Sequence, residues 1–124
     1  MALSNAGAVA MAAWAIGDGS VTNLASGNAY LGVGDSTTAF SAAHTDLQAA
    51  TNKLRKLCSS VSRVNGVLTF VTTYTTSEAN FAWQEVAVFN AASTGTMVGR
   101  KVQDLGTKTS ASSWQLTYSS TVSA

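Results

Sequence analysis

A chain of 124 residues with a net charge of +1 has length for one globular core and not for two. Apolar residues supply 46% of it, which excludes simple disorder, while Asp, Glu, Lys and Arg make up only 10%, against a usual share of about a quarter. The near-neutral balance argues against a nucleic-acid partner, which is normally met by clustered Lys and Arg. It leaves a surface of Ser, Thr, Asn, Gly and Ala that another protein covers at little desolvation cost.

In chain order, Ser4 is placed to cap a helix in which Val9, Trp14 and Ile16, with Ala6, Ala10 and Ala13, form an apolar stripe at three- and four-residue spacing. Gly17-Asp18-Gly19 ends it. The apolar run from Ala2 to Ile16 lacks a basic leader and is too short to span a bilayer, so it reads as part of the folded domain, with no membrane partner. Ala29 to Gly34 predicts a short strand, Asp35 to Thr38 a turn, and Thr45 to Ala50 a short helix capped by Thr45 with Gln48 in the capping-box position.

From Lys53 the pattern turns to strands. A mixed run reaches Val64, and Asn65-Gly66 predicts a type I′ hairpin. Its second arm alternates, with Leu68, Phe70, Thr72 and Tyr74 on one face. Further strands are expected over Phe81 to Asn90, Thr96 to Val102, and a last one with Trp114, Leu116, Tyr118 and Val122 on its buried face. Turns about every ten residues and no helical period after position 52 predict a mainly β protein, an antiparallel β-sandwich with a short N-terminal helix. Residues 1–28 form the helix and arm and 29–124 the sandwich of one domain, with Trp83, Phe89, Trp114, Leu116 and Tyr118 in its core. The sequence has no Pro, the commonest edge-strand guard, so its edges are open to neighbours.

Few residues carry chemistry. Cys58 is the only cysteine, so it forms no disulfide within the chain, and it reads as a buried, inert thiol; His44, the only histidine, lies in a polar loop. Asp35 with Asp46 and Glu78 with Glu85 are the best carboxylate pairings, but no calcium-loop pattern surrounds them, and no catalytic, metal or cofactor site is expected. Glu85 is placed on the same strand face as Trp83 and Phe89, where a structural ion pair with Arg100 or Lys101 satisfies it. Gly32 and Gly34 read as points of close backbone approach. Lys53, Arg55, Lys56 and Arg63 are the one concentration of charge, read equally as a solvated strand face or as an ionic seam with a neighbouring subunit.

Four segments stand in a recognisable order. They are Tyr30-Leu31-Gly32-Val33-Gly34-Asp35-Ser36-Thr37-Thr38; Thr45-Asp46-Leu47 leading to Lys53-Leu54-Arg55-Lys56; Ala79-Asn80-Phe81-Ala82-Trp83-Gln84-Glu85-Val86-Ala87-Val88-Phe89-Asn90-Ala91; and Gly95-Thr96-Met97 leading to Leu105-Gly106-Thr107-Lys108. Taken as an ordered set, they resemble the small tail-collar-fibre N-terminal domains of tailed bacteriophages and the stand-alone virion proteins similar to them. The resemblance implies a non-enzymatic virion structural protein, made in the host bacterial cytoplasm. Two placements stay open, a capsid decoration or cement protein on the head and a tail-fibre or baseplate attachment module; a carbohydrate-binding module is a third. The expected partners are copies of itself, as a trimer, and other virion subunits such as the major capsid protein or tail proteins.

Overall fold

The Ser4 hydroxyl accepts the Gly7 amide at 2.8 Å and starts α1, Asn5–Ala15. The computed structural model of the protein describes residues 2–122; residues 1, 123 and 124 of the expected domain lie outside the described residues. Gly7 and Ala10 are the buried residues of α1, with Met11 and Trp14 half-buried beside them. A side chain at Gly7 would collide with the Val98 carbonyl, so the helix docks through its smallest residue. The expected stripe is met in part: Ala10 is buried and Trp14 packs against the core, but Val9 is 67% and Ile16 82% exposed.

Among the described residues eight strands follow or flank the helix: β1 Ala2–Leu3, β2 Tyr30–Gly34, β3 Lys53–Leu57, β4 Ser60–Val64, β5 Val67–Tyr74, β6 Ala82–Phe89, β7 Met97–Thr107 and β8 Trp114–Thr121. They form a five-stranded sheet in the order β1-β7-β6-β2-β3 and a three-stranded sheet in the order β4-β5-β8, antiparallel throughout. The protein is mainly β, and the two sheets enclose a common core. The smaller sheet approaches the larger over β2 and β3, while α1 packs on β7, so the helix covers what three strands leave open. Among the described residues no helix is long and apolar enough to cross a membrane.

The core lies between the sheets, where Leu31, Val33, Phe70, Tyr74, Trp83, Val86, Val88 and Val98 are all essentially inaccessible. Tyr74 and Trp114 each meet Trp83 edge-on, with centroids 4.9 and 5.0 Å away. A smaller cluster of Leu47, Ala87, Phe89 and Met97 sits apart from it, so Phe89 is buried but outside the main core.

Several expectations change. β1 was not foreseen, and β7 runs five residues past Val102 to Thr107. Residues 45–50 are an irregular loop rather than a helix. The β4–β5 loop holds only Asn65 at positive φ (52°), so it is not type I′; Gly66 is needed because a Cβ there would lie 2.7 Å from the Val122 carbonyl. On β8, Trp114, Leu116, Tyr118 and Ser120 face inward, but Val122 lies beyond the strand and is 54% exposed. Trp114 and Tyr118 are only half-buried because β8 is an edge strand and one flank of its inner face is open.

Candidate functional site

The second face of the five-stranded sheet gathers two groups of paired charges, Glu85 with Arg100 and Asp46 with Lys53 and Arg55. A register shift lies between Trp83 and Glu85, where β6 advances two residues while β7 advances four, from Gly106 to Val102. It turns Trp83 to the inter-sheet core with Val86 and Val88 and leaves Glu85 on the opposite face with Ala87 and Phe89, which corrects the expectation that Trp83 and Glu85 share a face.

Glu85 and Arg100 are both 0% exposed, with Arg100 Nε 2.7 Å from Glu85 Oε1. The same Oε1 accepts the Gln48 amide at 2.8 Å, Oε2 accepts the Ala49 amide at 2.9 Å, and Arg100 Nη2 donates to the Thr38 carbonyl at 2.9 Å. The pair is therefore a latch that holds the 35–52 segment on the sheet. It also explains why residues 45–50 are not helical: the amides of Gln48 and Ala49 are taken by a carboxylate on β6, and the Gln48 side chain donates to the Asp46 carbonyl. Gly34 lies directly opposite Glu85 on β2, where any side chain would strike the carboxylate, and a Cβ at Gly32 would come within 2.9 Å of Phe89 and Leu47. Lys101, the alternative partner, is exposed opposite Val86 and faces away from Glu85.

The four basic residues of the expected seam do not form one patch. Lys53 and Arg55 converge on Asp46, at 3.3 Å each, and the Arg55 guanidinium stacks 3.6 Å over the Phe89 ring while donating to the carbonyls of Ala91 and Thr94. Partial burial works to raise the Asp46 pKa, but the Leu47 amide, Lys53 and Arg55 outweigh it and hold the carboxyl below its usual range. A shallow cleft of about 270 Å³ lies beside them, bordered by Ser93 and Thr94. Lys56 alternates to the other face and pairs with Glu78 at 2.7 Å, an arrangement that, with the Thr75 amide, draws Glu78 down to about 2. Arg63 is on the other sheet, where it donates to the Asn65 carbonyl at the hairpin tip.

The remaining candidates are separate. His44 accepts the Ser41 amide in its loop, and Cys58 is buried in the main core, where desolvation pushes the thiol up to about 11. Asp35 accepts the Asn52 side chain, while Asp46 is held by Lys53 and Arg55. Sequence reasoning missed Asp46 as the hub of the basic pair and Lys108 as a buried cation, whose Nζ donates to the Thr75 carbonyl and Asn80 Oδ1 at 2.7 Å each. The only signal for either was their membership of the ordered segments. No protein-family model, no curated protein and no solved structure matches this chain.

Proposed function

We propose that this chain is a non-enzymatic structural protein of a tailed-phage virion, a capsid decoration subunit that binds the assembled head and stabilises it. The observation that carries the reading is the use to which the charges are put. Of seven Lys and Arg, Lys53, Arg55, Lys56 and Arg100 pair with Asp46, Glu78 and Glu85, and Lys108 is buried against oxygen acceptors. The ions tie loops to strands, which leaves a rigid sandwich whose exterior is mostly small and uncharged. Such an exterior is suited to being covered by neighbours in a lattice. A subunit that binds only the assembled state stabilises that state by mass action.

Attachment to a tail is the second reading, favoured by the segment order shared with tail-collar-fibre domains. A sugar platform is disfavoured because Trp83 is 2% exposed and packed by Trp114, and Trp14 turns its Nε1 to the Val21 carbonyl. A thiol whose pKa is raised to about 11 is the reverse of an activated nucleophile, in keeping with a protein that does no chemistry. Added to tailless heads that lack it, the purified protein is expected to bind and to raise the temperature at which they release DNA. Heads left unbound, or bound without protection, would overturn the decoration reading.

A further inference from the structure

Four strands form the edges of the two sheets, and they are not equally guarded. β1 has only two residues, β3 carries Lys53, Arg55 and Lys56, and β4 is five residues long with Arg63 near its tip. Short length and cationic side chains are what keeps an edge from pairing with another chain. β8 has neither: it is eight residues long, Trp114 to Thr121, with no charged residue, no Pro and no register irregularity against β5.

The hydrogen-bond phase of β8 follows from one bond. The Val122 amide donates to the Gly66 carbonyl in the same register as the β5–β8 ladder, so every second residue from there, Ser120, Tyr118, Leu116 and Trp114, turns its backbone to β5. The backbone groups of Gln115, Thr117, Ser119 and Thr121 therefore point to the free side, and no backbone partner meets them among the described residues. Beside that edge runs a groove of about 230 Å³ between β8 and the far end of β7, walled by Leu105, Gln103 and Tyr118. The Tyr118 hydroxyl is enclosed there without a hydrogen-bond partner, and Lys101 lines the β7 side of the groove.

We propose that a second copy of this chain adds to this edge, β8 against β8 and antiparallel, about a twofold axis at Tyr118. An antiparallel register centred on Tyr118 sets Gln115 opposite the partner's Thr121 and Thr117 opposite the partner's Ser119. It is the register that uses all four outward-facing residues on both strands. In a self-paired strand each residue faces a residue of the same stretch, so a charged side chain near the axis would meet a like charge; the stretch 114–121 contains none. The result is one continuous six-stranded sheet, and the two Tyr118 rings, each half-buried in the single chain, close on one another at the axis. An eight-residue strand is only about 27 Å long, and a lasting pair needs about 800 Å² per partner. The groove walls on β7 must therefore be covered as well, which places Gln103 and Leu105 in the interface. A dyad also replaces the threefold arrangement expected from the sequence by a twofold one, the closed symmetry that identical edges generate.

The test is the mass of the purified protein in solution together with amide exchange. A mass of twice 12.7 kDa is expected, with the amides of Gln115, Thr117, Ser119 and Thr121 protected in the dimer and exchanging at least ten-fold faster on dilution to monomer. Thr117→Pro removes an outward amide without touching the β5 ladder, and is expected to give a folded monomer. If Thr117→Pro fails to fold, the exchange rates of the unmodified protein decide alone. A monomer at millimolar concentration, a dimer whose four amides exchange freely, or a folded Thr117→Pro variant that remains dimeric would each overturn the proposal.

Discussion

Glu85→Ala is expected to be among the most damaging single substitutions in the protein. It removes the acceptor for Arg100 Nε and for the amides of Gln48 and Ala49, and leaves a guanidinium that is 0% exposed without its counter-ion. Breaking a buried pair from one side costs about 3–5 kcal/mol, a large part of the roughly 5–15 kcal/mol that holds a domain together. The loss should be local before it is global: hydrogen exchange in residues 35–52 should rise first, since the latch ties that segment to the sheet. Removing both charges, as Glu85→Leu with Arg100→Met, should recover part of the loss because no buried charge is stranded, though the Gln48 and Ala49 amides stay unsatisfied. If Glu85→Ala melts like the unaltered protein, the latch has no structural role.

Trp83→Ala should be comparably severe, for a different reason. Trp83 is 2% exposed, packs against Tyr74 and Trp114, and donates its Nε1 to the Ala79 carbonyl at 3.0 Å. Truncating a buried indole costs about 3–5 kcal/mol, and here it also removes one of the two donors to the Ala79 carbonyl, leaving only the Phe81 amide. Trp114→Ser should cost clearly less, because Trp114 keeps one flank in solvent on the open side of β8. Thermal unfolding of the two variants checks the order, and an equal fall in melting temperature would mean that the core is not centred on Trp83.

The mainly β architecture was legible because its strands state their faces plainly. From Trp114 to Ser119, apolar and polar residues alternate strictly, and Leu68, Phe70 and Tyr74 mark one face of β5 although Val71 and Thr72 break the alternation, so period and side could be read together. The N-cap at Ser4 was legible because capping is decided within one turn. What failed was decided at a distance. A capping-box pattern at Thr45 to Gln48 lost to a carboxylate 36 or more residues away. The register shift beside Gln84 leaves no mark in the hydrophobic pattern, because Trp83 and Phe89 are both apolar and both buried, though on opposite faces. The face of α1 was read only in part, since Ala10 and Trp14 turn inward as expected while the close approach of Gly7 to Val98, set by size, leaves Val9 outside. For the same reason the basic cluster could be named but not placed: Lys53, Arg55 and Lys56 share one strand, yet alternation sends Lys56 to the other face, and Arg63 belongs to the other sheet.

The reading as a head decoration subunit stands or falls most directly on copy number. The ratio of this chain to the major capsid protein in purified virions, by quantitative mass spectrometry, should be of the same order as a lattice position requires, with hundreds of copies on each particle. A handful of copies per particle, confined to fractions that retain tails, would contradict the decoration reading and place the protein in the tail.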